Sequence, residues 1–312
     1  MTRILVTGAS GLLGINLSLQ ALEKGHEVLG TVNQHGLRNA PFQTYHAELS
    51  KSGLIAEIID SARPDVIIHT AALAVIDACE KQPELSWRIN AQLPEEIAAI
   101  AWKKGIQLVH ISTDAVFDGV DGGYTEDSLP NPLSTYARHK LEGEKVVIAA
   151  NPQAVVARVN FFGWSLTSTR SLSEWFFQNL SQGNQVKGFK DIFFCPLLVN
   201  DLSDLLIKMV EKRLSGIYHV LAPTHLSKYA FGILIARQFG FDPNLITPVS
   251  WKDGGLQAAR SPNLILKVDK LINDLGLTPP VPENGIGRFH QLWQKGYAER
   301  IKLMREFEPP AH

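Results

Sequence analysis

The chain has 312 residues, long enough for one large or two modest domains with a substantial buried core. Hydrophobic residues make up 45% and charged residues 20%, with a formal net charge of −1. This describes an ordinary globular protein and argues against a general nucleic-acid binder. Two cysteines, Cys79 and Cys195, make neither a disulfide framework nor a CxxC metal pair, so a reducing compartment is expected and metal binding has no support.

The N-terminus, MTRILVTGAS, enters a strand without the apolar stretch and cleavage site of a secretory signal, and no run reaches about 18 apolar residues. A cytoplasmic protein without a membrane partner is expected. RILV, from Arg3 to Val6, is the first strand. TGASGLLG follows, with Gly8, Gly11 and Gly14 in a GxxGxxG spacing ahead of the helical run INLSLQALEKGH. A glycine-rich turn between a strand and a helix lets backbone N–H groups approach a pyrophosphate, with the positive end of the helix dipole behind them.

The second strand, EVLGTV, ends at Val32, and Asn33 stands where NAD-specific folds place an acid for the ribose hydroxyls. With Arg38 a few residues on, the sequence leans toward a 2′-phosphate and so toward NADP(H) over NAD(H), although Arg38 is equally well explained as a solvated loop residue. After a third strand, FQTYHA, Glu48 and Leu49 precede a helix expected to begin near Ser50. Glu48 can face an adenine amino group or cap that helix.

DVIIHTAA reads as a buried parallel strand running to Ala71 and Ala72, whose small side chains permit close approach of a cofactor or tight helix packing. A long helical segment from about Pro83 to Lys104 carries Asn90. QLVHIS is the next strand, and STDAVFDG, Ser112 to Gly119, follows at its carboxyl end. A loop rich in aspartate and glycine leads into STYARHK. There Tyr136 and Lys140 stand four residues apart on one helical face, so a lysine charge could favour the phenolate and make the tyrosine a usable acid and base. QAVVARV is a further strand, ending at Arg158.

Alternating strands and helices imply an α/β fold, a Rossmann-type doubly wound parallel sheet whose ligands bind beyond the carboxyl ends of the strands. Ser10, Ala72, Thr113 and Asn160 fall at such ends. Past Asn160 the chain turns aromatic, with Phe161, Phe162, Trp164, Trp175, Phe176 and Phe177, more in keeping with a small-domain core than with a stacking surface. The expected organisation is a dinucleotide-binding domain over residues 1–160, also receiving the helix near 200–214, and a smaller substrate-binding lobe drawn mainly from 161–312.

Taken together, TGASGLLG, HTAA, the INA of Ile89 to Ala91, STDAVFDG, YARHK, Pro196 and the RSPN from Arg260 occur in family order. The sequence resembles the extended short-chain dehydrogenase/reductases, and within them the dTDP-4-dehydrorhamnose reductase-like branch. The resemblance implies a catalytic trio of Thr113, Tyr136 and Lys140, with Tyr136 giving a proton to a carbonyl oxygen while the nicotinamide delivers hydride to its carbon. It implies cofactor contacts from Gly8, Ser10, Gly11, Leu12, Asn33, Ala71, Ala72, Asn90, Tyr136 and Lys140, to which the reading of the residues adds Gly14, Arg38, Glu48 and Leu49. Asp114 and Val116, with Asn160 and Arg260, look like substrate positions.

The substrate implied is a nucleotide-activated sugar. RVNFFGW departs from the family's tryptophan-bearing pattern after the sixth strand, which puts the sugar itself in doubt. Two further readings stand beside the reductase: a non-catalytic NADP-binding regulatory subunit similar to the methionine adenosyltransferase beta subunit, and a sugar-nucleotide epimerase or dehydratase. A homodimer through helices of the dinucleotide domain rests on analogy alone.

Overall fold

The computed structural model describes residues 1–253 and 261–306. The first half of the chain alternates strands and helices: β1 (Arg3–Thr7), α1 (Leu12–Glu23), β2 (Glu27–Val32), β3 (Gln43–His46), α2 (Leu54–Ala62) and β4 (Val66–His69). Next come α3 (Ile76–Lys81), α4 (Pro83–Trp87), a π-helical turn over Arg88–Gln92, α5 (Leu93–Lys104), β5 (Gln107–Thr113), α6 (Thr135–Ala150) and β6 (Val155–Val159).

The second half has shorter strands: β7 (Phe161–Phe162), α7 (Leu172–Ser181), β8 (Val186–Phe189), β9 (Phe193–Phe194), β10 (Leu197–Leu198), α8 (Val199–Glu211) and β11 (Gly216–Val220). The described chain continues through β12 (Leu226–Ser227), α9 (Lys228–Phe239), β13 (Ile246–Val249), β14 (Asn263–Leu264), α10 (Asp269–Leu275), α11 (Pro282–Gln294) and α12 (Tyr297–Lys302).

Seven strands form one parallel sheet in the order β11-β6-β5-β4-β1-β2-β3. The chain runs outward from β1 to β3 and then restarts on the other side at β4, so a crevice opens between the carboxyl ends of β1 and β4. Strand residues alternate between two cores because successive side chains point to opposite faces. Ile4 and Val6 pack with Leu13 and Leu17 of α1 and Leu202 and Leu206 of α8, whereas Leu5 packs with Ile55 and Ile59 of α2 and Ile97 of α5.

β11 shows that the main sheet also draws on the C-terminal half, pairing with β6 from Gly216↔Val155 to Val220↔Val159. A separate aromatic core fills the second half, where Phe162, Trp164, Phe176, Phe231 and Phe289 meet Ile15 and Leu19 of α1. Most of the expected elements are present, with two differences at element ends. β4 stops at His69, because its neighbour β1 ends at Thr7 and Thr70 folds back to hydrogen-bond the Thr7 carbonyl. α2 begins at Leu54, preceded by Gly53 at φ +83°, so the segment from Ser50 is a turn. Among the described residues no helix is long and apolar enough to cross a membrane.

Candidate active site

The glycine turn after β1 is built for close backbone approach. Gly8 has φ +72°, and a Cβ there would lie 2.9 Å from the Ala71 Cα; a Cβ on Gly14 would fall on the Gly8 carbonyl oxygen. The Gly11 N–H closes the turn on the Gly8 carbonyl at 2.9 Å. Gly11 then serves as N-cap of α1, which has no side-chain cap and no acid in its first turn. First-turn N–H groups without a side-chain acceptor, a cradle that a Cβ would fill and a crevice at the sheet's switch point together fit a dinucleotide's pyrophosphate. Ser10 and Leu12 are half-buried on this turn, and Ala71 and Ala72 follow β4 beside it.

The remaining cofactor-side residues are disposed unequally. Asn33 and Arg38 are exposed past the end of β2, with the Arg38 Nε donating to the Leu303 carbonyl at 3.0 Å. Glu48 pairs with Lys51 at 3.0 Å and accepts from the Ser50 hydroxyl at 3.2 Å; it does not cap α2, which starts six residues later, after Gly53. Leu49 is buried in the core under α2. Asn90 is fully buried, and its amide holds both the N–H and the carbonyl of Leu73 and the Ser86 hydroxyl, so it supports the Ala71–Ala72 turn from behind.

α6 carries Tyr136 and Lys140. The Ser134 hydroxyl accepts from the Ala137 N–H at 3.2 Å as N-cap, and Glu80 of α3 accepts from the Thr135 N–H at 2.8 Å and hydroxyl at 2.6 Å. These contacts fix the first turn, from which Tyr136, Lys140 and Glu144 follow at four-residue intervals on the inner face. Glu144 is held by Arg158 of β6, with N–O distances of 2.7 to 3.1 Å, and by the Ser112 hydroxyl at 2.5 Å, all three groups buried.

Thr113, Asp114, Tyr136 and Asn160 line one cleft of about 310 Å³, with Ile192, Phe193, Lys228 and Leu264 on its far wall. Asn160 donates to the Asp114 carboxylate at 2.6 Å, and the Thr113 hydroxyl donates to the other carboxylate oxygen at 3.2 Å. Burial raises the Asp114 carboxyl to about 6, against the pull of Asn160, Thr113 and the Lys228 charge.

The Tyr136 phenol lies well above the usual phenol range. Withdrawal from water is the main cause and the Asp114 charge adds to it, with a hydrogen bond to Thr113 opposing. The expectation that Lys140 lowers this phenol is therefore corrected. Lys140 is buried and turned inward, donating to the Ile111 carbonyl at 2.7 Å with His110 Nε2 at 3.3 Å, and burial brings its amine down to about 8 against the pull of Glu144.

Two further expectations need correction or restriction. Val116 is fully buried and packs in the cluster of Phe117, Cys195 and Leu266, so Ala115, not Val116, faces the cleft. Arg260 lies outside the described residues. Trp164 belongs to the core, stacked on Phe289 at 4.0 Å with its indole N–H on the Phe289 carbonyl. Lys228, Phe193 and Glu80 were not singled out from the sequence. Lys228 opens a helix with an ordinary amphipathic pattern, and its place in the cleft follows from β12 pairing with β9, a contact without local signature.

A family model described as the RmlD substrate binding domain matches residues 1–294. The chain is 30% identical over 286 residues to a probable low-salt glycan biosynthesis reductase, Agl14, of Haloferax volcanii, covering 90% of this chain and 95% of that protein. It is 32% identical to methionine adenosyltransferase 2 subunit beta of Xenopus tropicalis, covering 80% of this chain and 75% of the other. Among solved structures, a dTDP-4-dehydrorhamnose reductase from Bacillus anthracis in complex with NADP superposes with a TM-score of 0.82 at 26% identity, over 92% of this chain and 98% of that one.

Proposed function

The chain belongs to the RmlD substrate binding domain family, and from that premise we propose that it is an NAD(P)H-dependent reductase of a keto group on a nucleotide-activated sugar. The observation that carries the reading is the meeting of Thr113, Asp114, Tyr136 and Asn160 in one cleft at the carboxyl ends of β5 and β6, one helical turn from the buried Lys140. The turn from Gly8 to Gly14 and the uncapped start of α1 would hold the dinucleotide, whose nicotinamide supplies the hydride when bound. Tyr136 gives its phenolic proton to the carbonyl oxygen as that oxygen gains charge, and its elevated pKa keeps the proton in place until then. The Thr113 hydroxyl lines the same cleft as Tyr136 and would meet the same oxygen. Asp114 and Asn160, joined to each other, present acceptors and donors to sugar hydroxyls.

NADPH is the favoured cofactor, on the strength of Asn33 in place of an acid and Arg38 shortly after it. A cytoplasmic setting belongs to the same reading and agrees with the free, buried Cys79 and Cys195.

The test is oxidation of NADPH in the presence of dTDP-4-dehydrorhamnose and related 4-keto sugar nucleotides. Tyr136→Phe should lower kcat by about 10²–10⁴-fold while leaving cofactor affinity within about threefold. A variant that turns over at the parental rate overturns the mechanism. The similarity to methionine adenosyltransferase 2 subunit beta supports a second reading, a dinucleotide-binding subunit of a larger enzyme. Stoichiometric capture of a methionine adenosyltransferase catalytic chain, with no hydride transfer to any carbonyl, would favour it.

A further inference from the structure

On the sheet face covered by α5 and α6, the apolar residues Leu5, Ile67 and Leu108 are each followed two positions later by a polar one: Thr7, His69 and His110. These three stand in register on adjacent strands, Thr7↔His69 and His69↔His110. The Thr7 hydroxyl lies 2.6 Å from His69 Nδ1 and accepts from the Ala71 N–H at 3.3 Å, so its own proton is directed to the imidazole. The two imidazoles stack at 5.3 Å between ring centroids. At the end of the row, His110 Nε2 meets Lys140 Nζ at 3.3 Å, and the Ile111 carbonyl takes a second proton of the amine at 2.7 Å.

A packing role alone does not account for this row. His69 Nε2 and His110 Nδ1 are buried without a hydrogen-bond partner. An aliphatic side chain at either position would not carry that cost. Burial and the nearby Lys140 charge both disfavour protonation of the rings, so His110 presents a neutral lone pair.

We propose that His110, backed by His69, is a positioning residue for Lys140: its Nε2 accepts from the ammonium and, with the Ile111 carbonyl, fixes the direction and charged state of that amine. This rests on the reading of Lys140 as part of the reductase site, and it adds a residue pair to that site. The titratable groups facing the amine are His110 and His69 from the sheet and Glu144 from its own helix, the last engaged by Arg158; Tyr136 stands one turn before it.

The sign follows from what the acceptor does. A hydrogen bond to the charged form favours that form, so removing it lowers the amine's pKa further. His110→Phe removes the acceptor with a ring kept in place; His110→Gln offers an amide oxygen near the Nε2 position. The Lys140 amine, followed by the 13Cε signal of labelled lysine and assigned by its loss in Lys140→Met, should titrate near 8 in the parent. It should move down by about one unit in His110→Phe and stay near the parent in His110→Gln. Where turnover is measurable, the alkaline limb of kcat should shift in the same way, with a roughly fivefold loss at pH 8 in His110→Phe and little loss at pH 6.5.

An unshifted lysine signal in a folded His110→Phe overturns the proposal, as does equal impairment of both variants at every pH. Should His110→Phe fail to fold, His110→Leu gives the same readout through the same lysine. The lysine signal needs no substrate, so a parent that reduces no carbonyl would sink the reductase reading and leave the His110 question to be decided by the titration.

Discussion

Asp114 concentrates the cost of this site in one residue. Its carboxyl sits at about 6 instead of 3.8, chiefly because it is buried, so between roughly pH 4 and 6 the folded chain holds a proton that the unfolded chain has released. Stability therefore falls as pH rises through that window and levels off above it. The shift of about two units corresponds to an upper bound of about 3 kcal/mol. Asp114→Asn keeps the shape and removes the charge, so its melting temperature should match the parent near pH 4 and exceed it increasingly up to pH 6 and above. Thermal unfolding across pH 4 to 8 checks this; a variant equally destabilised at every pH would mean that the Asn160 and Thr113 contacts outweigh the buried charge. On the proposed role of Asp114 toward the substrate, turnover should fall in the same variant as stability is gained.

At the scale of elements, α6 and the π-turn over Arg88–Gln92 determine where Lys140 reaches. Gly143 sits at their contact: a Cβ there would fall on the Asn90 carbonyl oxygen and lie 3.6 Å from His110 Nε2. In an exposed helix, alanine for glycine gains up to about 1 kcal/mol. Here the helix must move instead, and Gly143→Ala should destabilise by about 1–3 kcal/mol and reduce turnover more than cofactor binding. Thermal unfolding paired with NADPH titration checks it, and a stabilised, fully active variant would refute it.

The same helix shows what a sequence can reveal. The four-residue spacing of Tyr136 and Lys140 is a local signal, and the structure places both residues on one face of α6. The glycine turn was readable for the same reason. Which groups meet Lys140 was not, since His110 stands 30 residues away and reaches it only because α6 covers that sheet face. Val116 was misread because the direction of a three-residue turn is set by packing against Cys195 and Leu266, far along the chain. Two-residue strands such as β9 and β14 have no period to detect, yet they contribute to the cleft's far wall.

At the scale of the whole molecule, the C-terminal end returns to the cofactor half. Tyr297 of α12 donates to Asn16 of α1 at 2.7 Å, and the Asn16 amide donates in turn to the Trp164 carbonyl at 2.9 Å, joining α1 to both the aromatic core and the chain's end. Beyond α12, Leu37 pairs antiparallel with Arg305, the Arg38 N–H donates to the Met304 carbonyl at 2.9 Å, and the Glu306 N–H donates to the Gly36 carbonyl at 3.2 Å. The segment carrying Arg38 is thus held as a strand-like pair by residues more than 260 positions away. If Arg38 selects for a 2′-phosphate, that selection depends on this pairing, because a guanidinium on an unpaired segment loses orientational freedom on binding and recovers less of its charge-assisted hydrogen bonding. Removing residues 303–312 leaves the Tyr297–Asn16 contact in place, so the chain should still fold. Its affinity for NADPH should fall by about tenfold, roughly 1.4 kcal/mol, with NADH affinity nearly unchanged. Parallel titrations of the two cofactors decide the point: equal losses would assign the C-terminal pairing to general stability, and an unchanged ratio would remove Arg38 from the selection of cofactor.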